Sequence, residues 1–422
     1  MNREYLTRIA DKQMKLALQS SGAVLIVGPK WCGKTETAKQ FAKSVLYMQH
    51  PDLADSYQKM ASLKPSELLV GETPRLIDEW QDAPELWNAV RFTVDERKER
   101  GQFILTGSVV PKSIKNMHSG TGRIARLTMR TMSLFESGES TGEISLSDLF
   151  NGKTGMIGAS KLSVDEIAFS ILRGGWPETI KESNTLVAMQ TVYNYLETLI
   201  NDDISRIDGK KRKPARIRSL LRSISRHISS PVNNSTILDD LTANDETISE
   251  KTISDYINAL TKLYVIEDLP AWSVSLRSKT SIRTKSKRHL TDPSIACAML
   301  GANKDKLFND FNTFGLLFES MAVRDLRVYA NSINGNVFFF RDKHDNEVDA
   351  IVELSDGKWG AIEVKMGSNE EEKTAERLIK FKKSVNTEKM GEPSFLAIVT
   401  ATKIAYQRGD GVWVIPLGCL KD

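Results

Sequence analysis

An α/β protein of three parts is the fold that the sequence predicts, and three observations predict it. An apolar run, Ala23-Val24-Leu25-Ile26-Val27, ends directly in the glycine-bounded octet GPKWCGKT at 28–35. Two further short apolar runs, at 75–79 and 102–108, end in polar groups, as the strands of an open α/β sheet do at their ligand-facing ends. Further along, three strand-like runs at 338–340, 348–352 and 359–365 are followed by a charged helical stretch at 370–384 and by strands at 395–400 and 412–415.

The octet satisfies G-x-x-x-x-G-K-[ST] at every fixed position. Gly28 and Gly33 let backbone N–H groups wrap around phosphates, and a helix expected over 36–44 turns its positive end toward them. On this pattern Gly28, Pro29, Lys30, Trp31, Cys32, Gly33, Lys34 and Thr35 line bound ATP. Lys34 reaches the β and γ phosphates, and the Thr35 hydroxyl holds Mg²⁺. The run Arg75-Leu76-Ile77-Asp78-Glu79 then supplies two adjacent acids at a strand end. Asp78 suits Mg²⁺ through its water shell, and Glu79 suits the orientation or deprotonation of an attacking water; the plain alternative is two solvated acids. The third run ends in Thr106-Gly107-Ser108, where Thr106 or Ser108 could meet the γ-phosphate or simply cap the next turn.

Together GPKWCGKT, LIDEWQDAPELW, FILTGS and GTGRIARLTMRTMSLFESGES resemble the prokaryotic AAA-type ATP-binding proteins that carry a C-terminal domain of unknown function. The resemblance continues through RGGWP at 173–177, DDISRIDG at 202–209, residues 265–272, and TFGLLFESMAVRDLRVYA at 313–330, so it spans nearly the whole chain. It implies an additional-strand, AAA-like P-loop ATPase domain at 1–135. It also implies that an arginine, often one from a neighbouring subunit of a homo-oligomer, completes the site, with Arg123 and Arg126 the positions to test, in cis or in trans. Arginines beside a strand are as often merely solvated or salt-bridged.

Residues 136–295 read as a helical linker and a winged-helix-like domain. Helical patterns at 164–172 and 187–200 precede a basic cluster, Lys210-Lys211-Arg212-Lys213 with Arg216 and Arg218. Three helices, at about 215–227, 235–243 and 249–263, are followed by a β-ribbon, which is the order of a winged helix-turn-helix. Along that ribbon Arg277, Lys279, Arg283, Lys285 and Lys287 fall at every second position with a gap at Ser281. On a strand this spacing puts the cations on one face, a ladder suited to DNA phosphates. DNA is therefore the expected partner, through the ribbon 277–288 and the cluster 210–218. The bland alternative is a solvated edge strand guarded by lysines.

Residues 296–422 present a second constellation. The order helix, three strands, helix, two strands, with Asp349 on one strand and Glu363-x-Lys365 on the next, resembles the core of restriction-endonuclease-like folds. That resemblance implies metal ligation by Asp349 and Glu363, completed by Glu319 on the preceding helix, with Lys365 positioning the attacking water or balancing charge. Arg341, Asp342 and Glu347 are either accessory to that site or turn stabilisers. A fold of this type also persists as a binding or assembly module without cleaving.

Composition narrows the setting. At 422 residues with a formal net charge of +4, the chain has room for several domains, and no bulk charge betrays a partner. No window nears the ~18 apolar residues of a spanning helix, and the start MNREYLTR has no apolar signal core. Cys32, Cys297 and Cys419 show no paired spacing for zinc or disulfides, so a reducing, cytoplasmic setting is expected.

Overall fold

The computed structural model describes residues 5–107, 120–207, 209–243, 248–273, 285–342 and 346–422. They form two units: the first combines 1–131 with the short pieces 203–211 and 262–264, and the second holds 132–202, 212–261 and 265–422. The segments read as 136–295 and 296–422 therefore fall mainly within one unit.

In the first unit, β1 (Ala23–Val27) is buried along its whole length and serves two cores. Ala23, Leu25 and Val27 pack on one side with Trp80, Leu86, Val90 and Val94, while Val24 and Ile26 pack on the other with Met14, Cys32 and Ala38. The period-2 alternation thus fills both faces of one strand, as expected where helices cover a parallel sheet on both sides. The other strands are β2 (Ser44–Tyr47), β3 (Arg75–Asp78), β4 (Phe103–Thr106) and β5 (Ile124–Thr128). All pairings are parallel, in the order β2-β3-β4-β1-β5. β4 lies between β1 and β3, which is the additional strand that the sequence led us to expect.

One local expectation is corrected here. The helix after the phosphate loop runs only over Lys34–Lys39, and Ser44, read from sequence as helical, opens β2. The β-branched and aromatic residues of Ser44-Val45-Leu46-Tyr47 suit a strand, and its pairing with β3 supplies the hydrogen bonds a longer helix would have used.

The second unit is built on a seven-stranded sheet ordered β7-β12-β13-β11-β10-β9-β8. A two-stranded piece pairs β6 (Ile144–Ser145) with β14 (Leu420–Lys421). The large sheet comprises β7 (Gly158–Ala159), β8 (Gly335–Arg341), β9 (Glu347–Leu354), β10 (Trp359–Lys365), β11 (Phe395–Thr400), β12 (Ile404–Gln407) and β13 (Trp413–Pro416). β8, β9 and β10 are antiparallel neighbours; β10, β11 and β13 run parallel, with the helix Glu371–Ser384 bridging β10 to β11. Its Ala375, Leu378 and Phe381 pack with Ile351, Trp359, Ala361 and Ile398.

Helices Pro214–Arg226, Asn234–Thr242 and Glu250–Lys262 match the expected triplet. Isolated antiparallel bridges follow, Ile266 with Leu290 and Leu269 with Lys287. The long helix Phe311–Ser332 is largely buried, and Arg324 explains how that is tolerated. Its guanidinium lies 3.1 Å from Asp292 Oδ2 and 2.7 Å from Asp325 Oδ1, a charge-paired arrangement that offsets the cost of burial. Asp292 also accepts from the Gly175 N–H, and the Trp176 Nε1–H donates to Ser294 Oγ, so RGGWP is read by the core of this unit.

Candidate functional site

The sheet order decides what the phosphate loop meets. Because β4 separates β1 from β3, the ends of all three strands bring Thr35, Asp78 and Thr106 together. The Thr35 hydroxyl donates to Asp78 Oδ1 at 2.7 Å, and the Thr106 hydroxyl donates to the same oxygen at 2.6 Å. Both Mg²⁺ candidates, Thr35 and Asp78, thus lie side by side as hard oxygen donors, the chemistry Mg²⁺ takes. Ser108 lies outside the described residues, so of the two sensor candidates Thr106 is the one placed here.

The loop itself is held by internal cation contacts. Gly28 has φ +149°, and a Cβ there would stand 2.2 Å from the Met129 carbonyl oxygen, so glycine is needed for space as well as conformation. Gly33 (φ 99°) caps the helix Lys34–Lys39 in the left-handed region, and Trp31 (φ 66°) adopts that region without being glycine. Lys34 is buried, its Nζ donating to the Gly28 and Pro29 carbonyls at 3.0 and 2.8 Å. Arg8 donates to the Cys32 carbonyl at 2.6 Å, and Lys30 Nζ sits 2.6 Å from Asp203 Oδ1. Cys32 is buried and packs against β1 and Met129, in keeping with a space-filling role.

Glu79 follows β3 with a left-handed backbone, φ 55° and ψ 48°. Burial pushes its carboxyl above the ordinary value, against the lowering pull of the Gln81 amide and of Lys34. The Gln81 Nε2–H donates to Glu79 Oε2, and a Cβ on Gly107 would come within 2.3 Å of Gln81 Oε1. Sequence reasoning passed over Gln81; its only signal was a position two residues beyond the acid.

Arg123 is placed elsewhere. It lies at the start of β5, where its carbonyl accepts from Ala23 N–H, so within its own chain it stands at the opposite end of β1 from the loop. Its Nε lies 2.9 Å from Asp95 Oδ1. Arg126 pairs with the Tyr264 hydroxyl.

The second unit holds the other candidate set, with a lysine at its centre that corrects the sequence reading. Lys287, assigned from its spacing to the exposed ribbon 277–288, is 1% exposed. Its Nζ lies 2.6 Å from Glu347 Oε1, 3.0 Å from Glu319 Oε1 and 3.4 Å from Asp349 Oδ1. Arg288 is engaged too, with Asp268 and, at 3.0 Å, Asn234 Oδ1. Of the ladder, Arg277, Lys279, Ser281 and Arg283 lie outside the described residues, and Lys285 is exposed. With Lys285 exposed and Lys287 buried, the two described members of the ladder do not share one exposed face, and Lys287 belongs to an internal charge cluster.

Asp349 bridges this lysine to a second. Its Oδ2 accepts from the Val364 N–H at 2.9 Å and lies 3.7 Å from Lys365 Nζ, which is itself 3.3 Å from Glu363 Oε2; Arg377 reaches that same Glu363 oxygen at 3.7 Å. Of the accessory candidates, Arg341 faces Glu347 at 3.8 Å and Asp342 accepts from Asn346. Burial raises the Asp349 carboxyl, but Lys287 and Lys365 outweigh it and hold the group below its usual value. Burial, and then the charge of Asp349, push Glu319 and Glu363 up to about 8. The metal set Glu319, Asp349 and Glu363 does not fit Mg²⁺ in this arrangement. Ammonium groups stand where a cation would, at distances longer than the 2.0–2.1 Å of Mg²⁺–oxygen bonds, and among the described residues no cluster of three or more His, Cys, Asp or Glu is arranged to hold a metal.

The basic cluster is mixed. Lys210, Lys211 and Lys213 are exposed, while Arg212 is buried against the Tyr256 ring and Arg218 forms a two-pronged pair with Glu197 at 2.8 and 3.1 Å.

Comparison with known proteins bears on the domain that holds the phosphate loop. Residues 20–137 match the family model of an AAA domain, which supports an ATP-binding, AAA-type ATPase domain there. Residues 164–306 and 314–420 match two domains of unknown function, DUF8612 and DUF4143. Uncharacterized proteins of Mycobacterium bovis and Mycobacterium tuberculosis are each 22% identical over 364 residues, covering 86% of this chain and 74% of theirs. A solved Walker-type ATPase of Pyrococcus abyssi aligns with 70% of this chain and 96% of its own at a TM-score of 0.42 and 16% identity, too remote a likeness to argue from. Among the described residues no helix is long and apolar enough to cross a membrane.

Proposed function

We propose that this protein is a Mg²⁺-dependent ATPase whose chemistry resides at the phosphate loop and the ends of β3 and β4. The observation that carries the reading is the meeting of Thr35 and Thr106 on one oxygen of Asp78, which ties the loop to both neighbouring strands. Thr35 and Asp78 would hold Mg²⁺, which when bound neutralises charge on the β and γ phosphates. Lys34 exchanges its two carbonyl acceptors for those phosphates. Glu79 orients a water and takes its proton as the water oxygen bonds to the γ-phosphorus and the bond to the β–γ bridging oxygen breaks. The upward shift of the Glu79 carboxyl suits it to that task. Arg123 serves, on this reading, only in a second copy of the chain, because its own loop is at the far end of β1.

The test is ATP turnover by the purified chain. Lys34→Ala should abolish nucleotide binding, and Glu79→Gln should keep ATP bound without turning it over; normal turnover in both variants removes the assignment.

A role for this ATPase on DNA is the second reading, and exposed Lys210, Lys211 and Lys213 ahead of the helix Pro214–Arg226 favour it. Retention on duplex DNA should fall steeply with salt and with the triple change to alanine. The second unit serves in this account as an endonuclease-like scaffold of winged-helix and α/β parts, and no cleavage step is assigned to it.

A further inference from the structure

Asp203 is a buried carboxylate that none of the chemistry above uses. Its side chain is 4% exposed, and its hydrogen-bonded partner is the phosphate-loop residue Lys30, Nζ to Oδ1 2.6 Å, across 173 positions of sequence. Three further facts single out this pair. Lys30 stands between Pro29, whose carbonyl holds Lys34, and Trp31, whose left-handed backbone persists only if its surroundings impose it. The helix Thr185–Thr198 changes to a π-helical turn over Leu199–Asp203, so the carboxylate sits at a local break in helix geometry. The chain also passes from the second unit to the first at Asp203 and returns after Lys211, which makes 203–211 a short piece of the first unit inserted between long pieces of the second.

We propose that Asp203 is a positioning residue that reports the occupancy of the nucleotide site: it anchors Lys30 in the ligand-free loop, and the phosphates of a bound nucleoside triphosphate draw the ammonium away. A triphosphate competes for Lys30 with several negative charges against the single charge of Asp203, and charge-assisted contacts to phosphate are strong. Release of Lys30 leaves the carboxylate without its anchor and loosens 203–207. By linkage, whatever weakens the Lys30 to Asp203 contact strengthens nucleotide binding by the same factor. The inference rests on nucleotide binding at the phosphate loop.

The experiment combines binding of a fluorescent ATP analogue with hydrogen exchange over 199–207, on the full chain, with and without a non-hydrolysable ATP analogue and Mg²⁺. In the wild type, nucleotide should speed exchange across 199–207. Asp203→Asn should bind the analogue about tenfold more tightly at low salt, within the usual range of site-to-site coupling, and the gain should shrink as salt rises. Its exchange should be fast already and indifferent to nucleotide, and Asp203→Glu should restore the response. Should Asp203→Asn fail to fold, Lys30→Gln is expected to lose the same nucleotide-dependent exchange. Nucleotide binding to the wild type with unchanged exchange at 199–207 overturns the coupling alone. So does a nucleotide response of wild-type size in Asp203→Asn or, where that fails to fold, in Lys30→Gln. Absence of binding to the wild type overturns both the coupling and the nucleotide site, with Lys34→Ala as the reference for a vacant loop.

Discussion

Lys34 at the start of the helix Lys34–Lys39 and Lys287 beside β9 and the helix Phe311–Ser332 are both buried lysines near carboxylates, yet they rest on different acceptors. Lys34 donates to two neutral carbonyls, of Gly28 and Pro29. Lys287 is surrounded by Glu319, Glu347 and Asp349. A lysine on carbonyls gains when anionic phosphates arrive, because charge-assisted bonds replace neutral ones. A lysine among buried carboxylates can only lose by moving, since it would leave uncompensated charge behind. The acceptor, not the residue type, separates a cation that is available to a ligand from one that is part of the framework.

Removing each lysine should break the symmetry between the two sites most visibly. Lys287→Met should cost about 3–5 kcal/mol of unfolding free energy, the usual loss when one member of a buried ion pair is removed. Lys34→Met, which strands two neutral carbonyls and no buried carboxylate, should cost less, about 1–3 kcal/mol, while eliminating nucleotide binding. Urea denaturation checks both, and equal losses would refute the contrast. Next in size is Thr106→Val, which strips one of the two hydroxyls from Asp78 Oδ1. A loss of about 1 kcal/mol is expected, together with slower ATP turnover, whereas the same measurements on Thr400→Val, a buried threonine at the end of β11, should leave turnover alone.

A smaller effect concerns metal. Mn²⁺ added to nucleotide-free protein should shift the melting temperature of the wild type and of Asp349→Asn equally, because Lys287 and Lys365 already fill the carboxylate set. A stabilisation that disappears with Asp349 would return the second unit to the metal-binding class. The smallest effect is in acid. Burial raises the Glu139 carboxyl, but the Arg173 guanidinium 2.6 Å away and the hydroxyls of Ser137 and Ser170 lower it further, leaving it below its ordinary value. Its contribution is therefore complete above the unfolded carboxyl range and is lost as pH falls through the lower folded value. Glu139→Gln should be less stable than wild type at neutral pH and should approach it below about pH 4, as followed by thermal melts across pH.

What the sequence disclosed was local. The octet at 28–35, the buried run before it and the acid pair at 78–79 each lie within a few residues, and strand-end chemistry follows directly from such runs. The three helices at 214–262 and the strands carrying Asp349 and Glu363 were legible for the same reason, through their hydrophobic periods. What stayed hidden depends on partners far along the chain. Lys287 meets Glu319 and Asp349 across 32 and 62 positions, and alternation alone cannot say whether the cationic face of a strand looks out or in. Lys30 finds Asp203 only through the fold, and Arg123 finds Asp95 on the neighbouring helix. The expected helix was carried five residues too far, to Ser44, because the pairing of Ser44–Tyr47 with Arg75–Asp78 that ends it lies about thirty positions along the chain.

Glu79 carries a cost that its chemistry imposes on the fold. A non-glycine residue in the left-handed region is disfavoured by about 1–2 kcal/mol, so Glu79→Gly should raise the melting temperature while abolishing hydrolysis. Selection for heat resistance alone would thus tend to discard the very residue assigned to water activation, and a thermally hardened variant of this chain should be checked at position 79 before it is trusted as an enzyme.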